Sequence, residues 1–122
     1  MARILVADDD FQSRELIAAV LQADGHQVQC VDNGQEALEA VNAHVPDMAF
    51  LDVLMPVFDG YETCRRMRAD PAIPADLPII FLTALDQDAR KLEGAGGTAF
   101  LSKSHVVADL RDLLAKYLGG GA

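Results

Sequence analysis

Residues 3–23 read RILVADDDFQSRELIAAVLQA, and this stretch contains the unit from which the chain is built. Residues 3–7 form a compact apolar run of strand type. Three aspartates follow, Asp8, Asp9 and Asp10. From Phe11 to Ala23 the apolar residues Leu16, Ile17, Val20 and Leu21 recur at i, i+3 and i+4, the spacing of one helix face. Asp24-Gly25 ends that pattern.

The same alternation continues outward. Residues 27–31 are a weakly alternating strand. Asn33-Gly34 opens a helix carrying Ala37, Leu38 and Val41, which stops before Pro46. Residues 48–51 are a continuous apolar run, and 55–60 a loop. Residues 61–68 read as a helix closed by Asp70-Pro71. Residues 77–82 (LPIIFL) form the most strand-like run of the chain, and a weak helix spans 87–93. A last strand covers 98–101. Ser104 is expected to cap a helix reaching Leu118, with Val106, Val107, Leu110, Leu113, Leu114 and Tyr117 on one face and Gly119 as its stop. Strands with so little polar alternation are buried on both faces. The class is therefore α/β, a parallel sheet sandwiched by helices.

At 122 residues the chain holds one domain, expected over residues 1–118, with 119–122 as a glycine-rich tail. A formal charge of −9 argues against gripping nucleic acid or an anionic membrane. The apolar run after Met1 is too short for an export signal. Cys30 and Cys64 show neither disulfide-framework nor metal spacing, which fits small packed side chains in a reduced, cytoplasmic protein.

In a doubly wound sheet, sites form beyond the carboxyl ends of the strands. Asp8, Asp9 and Asp10 follow the first strand, Asp52 the third, Thr83-Ala84 the fourth and Ser102-Lys103 the fifth. Clustered carboxylates repel, so they call for a cation, and hard oxygen ligands suit Mg²⁺. The lone Lys103 opposite them points to an anionic second partner such as a phosphoryl group. An aspartate between the two is a candidate nucleophile for an aspartyl phosphate. Asp10 is read as a helix cap and not as a ligand.

Four segments, 4–9 (ILVADD), 52–62 (DVLMPVFDGYE), 78–84 (PIIFLTA) and 100–103 (FLSK), together resemble the bacterial response-regulator receiver domain, the CheY-like family. The resemblance runs from about Arg3 to Leu118. It implies a flavodoxin-like, five-stranded sheet of order 2-1-3-4-5. It implies that Asp52 takes a phosphoryl group from the phosphohistidine of a sensor histidine kinase or phosphotransfer protein. Asp8, Asp9, Asp52 and the Leu54 backbone carbonyl would hold Mg²⁺. Thr83, Lys103 and the Ala84 backbone amide would bind the phosphoryl oxygens, and Thr83 and Phe100 would switch the output face towards an unknown partner. It implies a signalling domain, not a turnover enzyme.

Three rival readings use similar parts. A haloacid-dehalogenase-type phosphatase needs a second aspartate two residues past the nucleophile, where this chain has Leu54. A flavin or nucleotide binder needs a phosphate-cradling loop after the first strand, where three aspartates would repel the phosphate. An adaptor that works without phosphorylation is disfavoured by the complete set of acids, threonine and lysine.

The chain also departs from the family pattern. Ser104 replaces the usual proline after the lysine, so a trans Lys103–Ser104 peptide is expected. Thr98-Ala99 stand where an acidic pair precedes the aromatic. The 94–97 segment carries three glycines, so the fourth helix should be short, near two turns. Without the acidic pair, charge complementarity for an activated symmetric dimer is incomplete, and the isolated chain is expected to be monomeric. Arg65, Arg66 and Arg68 are read as a solvated helix face, and the scattered histidines argue no metal site.

Overall fold

The computed structural model describes residues 2–84 and 89–118. Five parallel strands, β1 (Arg3–Ala7), β2 (Gln27–Val31), β3 (Met48–Asp52), β4 (Ile79–Thr83) and β5 (Ala99–Ser102), form one sheet of order β2-β1-β3-β4-β5, as expected. Between and after them run α1 (Phe11–Ala23), α2 (Gly34–Ala43), α3 (Gly60–Ala69), α4 (Ala89–Ala95), a 3₁₀ turn (Lys103–His105) and α5 (Val106–Tyr117).

The first three helix starts have a local cause. Asp10 caps α1 by accepting from the Gln12 amide at 3.2 Å. Asn33 caps α2 through the Glu36 amide at 2.9 Å, and Asp59 caps α3 through the Glu62 amide at 2.8 Å. Gly25 takes φ +88 at the turn out of α1, a conformation that side chains disfavour.

Alternation along the strands divides the core into two layers. Leu5, Ala49, Leu51, Ile79 and Phe81 pack with residues of α2 and α3, including Ala37, Cys64 and Met67. Ile4, Val6, Phe50, Ile80 and Leu82 pack with Ile17 and Leu21 of α1 and Leu110 of α5. Every residue of β3 and β4 is buried, which is why these strands read as continuous apolar runs.

Several boundaries move. β4 begins at Ile79 and not Leu77, because the Leu77 amide turns back to the Pro74 carbonyl at 3.2 Å and Pro78 has no N–H. β5 begins at Ala99; Thr98 docks on Ile79 through its own amide at 2.8 Å and its hydroxyl at 3.0 Å. Ser104 does not cap the last helix. Ser102 caps the 3₁₀ turn instead, and α5 starts after His105 with no side-chain cap. Leu16 and Val107, placed on buried faces by periodicity, are 45% and 57% exposed. α4 spans seven described residues, about two turns. The start of the helix expected at 87–93, and the 119–122 tail with its Gly119 stop, lie outside the described residues. No helix among the described residues is long and apolar enough to cross a membrane.

Candidate functional site

The carboxyl ends of β1 and β3 bring the predicted acids together. Carboxylate oxygens of Asp8, Asp9 and Asp52 all lie within 4.8 Å of one another. Asp8 is fully buried, Asp52 nearly so, and Asp9 exposed. The backbone fixes their spacing. The Asp8 amide donates to the Val31 carbonyl at 3.1 Å, and Val53, just past Asp52, donates to Leu82 at 3.0 Å. Gly60 closes the 53–59 loop by donating to the Val53 carbonyl at 2.9 Å. A Cβ at Gly60 would collide with the Asp52 carbonyl, so α3 can begin this close to Asp52 only with glycine there.

Lys103 reaches in from the end of β5. Its Nζ donates to Asp52 Oδ2 at 2.9 Å and to Asp8 Oδ1 at 3.1 Å. Asp8 Oδ2 is also 3.1 Å from that nitrogen, yet it is buried and accepts no hydrogen bond among the described residues. Thr83, 5% exposed, ends β4 in register with Ser102, and Ala84 follows it. The site is thus three carboxylates facing one ammonium.

Electrostatics follow from that ratio. Burial first, and the neighbouring Asp8 second, push the Asp52 carboxyl from its ordinary 3.8 up to about 7, against the pull of Lys103. For Lys103, burial works against the charge, but the bonds to Asp52 and Asp8 outweigh it and the net shift is upward. Three hard oxygen donors, one of them a buried oxygen with no donor, fit a divalent cation of the Mg²⁺ type. Asp8, Asp9 and Asp52 could hold it, with the Leu54 carbonyl within the same loop. The Leu54 amide lies 3.4 Å from Asp52 Oδ1, so this loop already addresses the carboxylate.

Asp10 stays outside the cluster as a cap, as read. Phe100 is half-buried, its ring 5.9 Å from Phe81, which in turn meets Tyr61 edge-on at 4.8 Å. Cys64 is packed in the core, and burial pushes its thiol up to about 11, which makes it unreactive. Cys30 is exposed on the edge strand, not packed.

Sequence reasoning missed two arginines. Arg14 donates to the Asp8 carbonyl at 2.8 Å and so braces the backbone of the acid pair. Its place in the second turn of the helix that follows the acids was the available signal. Arg68, read as solvated, donates to three carbonyls, Leu77 at 2.7 Å, Gly96 at 2.8 Å and Ala75 at 3.1 Å. Arg65 and Arg66 do lie on a solvated face, both paired with Glu62.

Comparison with known proteins matches this arrangement. A family model for the response regulator receiver domain fits residues 4–115. Response regulator MprA of Mycolicibacterium vanbaalenii is 39% identical over 110 residues, covering 88% of this chain and 46% of that protein. The chain therefore spans about half the length of the curated relatives it matches. The receiver domain of a sensor histidine kinase from Pseudomonas aeruginosa PAO1, solved with a magnesium ion coordinated in its active site cleft, superposes with a TM-score of 0.87 at 30% identity, over 98% of each chain. The Vibrio cholerae chemotaxis protein CheY4 superposes with a TM-score of 0.89 at 28% identity, over 96% of this chain and 98% of that one. By sheet order, acid cluster and family match alike, this chain belongs to the response regulator receiver domain family.

Proposed function

We propose that the chain is a phosphoacceptor switch of a two-component phosphorelay, with Asp52 as the phosphorylated residue. The observation that supports this most is the setting of Asp52, a nearly buried carboxylate 2.9 Å from the Lys103 ammonium and beside Asp8 Oδ2, which is buried, 3.1 Å from the same ammonium, and accepts no hydrogen bond among the described residues. An Asp52 oxygen attacks the phosphorus of a phosphohistidine. The P–N bond breaks, and the imidazole leaves with its electron pair and takes up a proton. Bound Mg²⁺, held by Asp8, Asp9, Asp52 and the Leu54 carbonyl, supplies charge neutralisation for the acids and the phosphoryl oxygens. Lys103 moves its hydrogen bonds from the carboxylates to a phosphoryl oxygen. Thr83 and the Ala84 amide donate to the others, and the shift of Thr83 lets the Phe100 ring turn.

The phosphodonor is a sensor histidine kinase or a phosphotransfer protein. Phe11, Leu54, Val57 and Val107 are exposed apolar residues on the helix starts and the loop at the acid edge of the sheet, and suit such a partner. The domain acts in the cytoplasm, as a monomer in isolation, on an output partner that reads the surface around Phe100. It is not a turnover enzyme: Leu54 stands where a phosphatase of related chemistry needs its acid/base carboxylate.

The test is direct labelling with acetyl phosphate and Mg²⁺, followed by mapping of the modified residue. The proposal expects one acyl phosphate at Asp52 and none in Asp52→Asn. Undiminished labelling of that variant would overturn it.

A further inference from the structure

The geometry points to Ser102 and Ser104 as a paired hydroxyl clamp that positions Lys103 for phosphoryl recognition, an inference that rests on the phosphoacceptor reading. Lys103 leaves β5 and opens the 3₁₀ turn. On either side of it, the Ser102 hydroxyl accepts from the Ser104 amide at 3.3 Å, and the two hydroxyl oxygens are 2.8 Å apart. The chain is thereby closed across Lys103 by two side chains. Ser104 stands where the family pattern has proline, and every described peptide bond here is trans. The turn that a proline ring would stiffen is stiffened here by hydrogen bonds.

The consequence falls on the lysine. Its four-carbon stem is flexible, and holding its ammonium in one place costs rotamer entropy. Fixing the backbone at the root of the side chain fixes the point and direction from which the stem reaches the site before any ligand arrives, while Asp52 and Asp8 hold the ammonium itself. Neither serine bonds to the carboxylates, so both are positioning residues acting through Lys103. His105 Nδ1 lies 3.5 Å from the Ser104 hydroxyl, at the limit of a hydrogen bond, and the clamp does not require it.

This division of labour makes a separable claim. Metal affinity belongs to the carboxylates, whereas Lys103 contributes to anion affinity beside Thr83, the Ala84 amide and the metal. The experiment measures binding of Mg²⁺ alone, and of beryllofluoride, a phosphoryl mimic, at saturating Mg²⁺, to the full chain by backbone amide NMR. Ser102→Ala and Ser104→Ala should each weaken beryllofluoride binding about three- to tenfold, the equivalent of one neutral hydrogen bond. The double variant should lose no more than the worse single variant, because the hydroxyls act as a unit. Mg²⁺ affinity should stay unchanged, and Ser104→Thr should restore beryllofluoride binding. Unchanged beryllofluoride affinity in both alanine variants would overturn the clamp, as would a loss of Mg²⁺ affinity in equal proportion, the mark of a merely structural role. If the parent chain binds no beryllofluoride, the phosphoacceptor reading falls and the clamp falls with it. Binding by the parent with unaffected variants removes the clamp alone.

Discussion

Arg68 and Lys103 are both cations set among oxygens, and the two settings are finished to different degrees. Arg68 meets three backbone carbonyls and satisfies them all, tying the end of α3 to the chain before β4 and to the turn before β5. Lys103 meets acids that outnumber it, and one of them, Asp8, keeps a buried oxygen 3.1 Å from the ammonium that accepts no hydrogen bond among the described residues. A completed polar network holds a fold together. A network with excess negative charge and an unsatisfied acceptor is expensive by itself, and is the place where a ligand adds stability. The contrast separates the part of the molecule that is scaffold from the part that is chemistry.

The largest effect expected from breaking this contrast is at the scaffold centre. Arg68→Ala removes three hydrogen bonds and should cost about 2–3 kcal/mol of stability in denaturant unfolding. Arg68→Lys should restore little, since one ammonium cannot reproduce the guanidinium fork. Mg²⁺ affinity should be unchanged in both. A drop in metal affinity would mean that the two centres are coupled.

The opposite sign is expected at the acid cluster. Asp52 has a folded pKa raised to about 7 from an ordinary 3.8, so between those values the folded state holds a proton that the unfolded state has lost. Its contribution is fully present below pH 4, and stability falls as pH rises through 7 in the absence of divalent metal. Asp52→Asn removes that slope. At pH 8 the variant should be more stable than the parent by about 1–2 kcal/mol, with the difference shrinking as pH falls towards 4. Equal stabilities at pH 8 would show that Lys103 already neutralises the site.

The smallest effect lies in the loop between the two centres. Val57 is 64% exposed and holds φ +70, a left-handed conformation that a β-branched residue tolerates poorly. Val57→Gly should stabilise by about 0.5 kcal/mol, the relief of the left-handed strain less the freedom glycine adds to the unfolded chain, read as a shift in unfolding midpoint at constant slope. No gain would mean that the surrounding loop relaxes without strain.

These two centres were not equally legible in the sequence. The acid site could be read because strand ends are local signals: Asp8 and Asp52 each close an apolar run, and the sheet order carries them to one edge. α1 was bounded correctly by Asp10 and Asp24-Gly25 for the same local reason. Arg68 was not legible. Its carbonyl partners include Gly96, 28 residues away, and nothing in the sequence around Arg68 states where a long side chain will reach once α3 is packed. Periodicity also overcounted the buried faces of α1 and α5, because Leu16 and Val107 sit at the rims of stripes whose true width is set by the sheet beneath. Ser104 has the composition of a cap, whereas Ser102, placed by the end of β5, takes the Ser104 amide and caps the 3₁₀ turn, leaving α5 without a side-chain cap.

The central claim, that the acid cluster is a cation site and not a structural network, is tested most directly by thermal unfolding at pH 8 over a Mg²⁺ titration, in the parent and in Asp9→Ala. A ligand that binds only the folded state adds about 1.4 kcal/mol at ten times its Kd, which for a domain of this size is a rise of about 3–6 °C in Tm. The account predicts a saturable rise of that order in the parent and its near absence in Asp9→Ala. A parent Tm that does not move up to millimolar Mg²⁺, or an equal rise in both proteins, would contradict it.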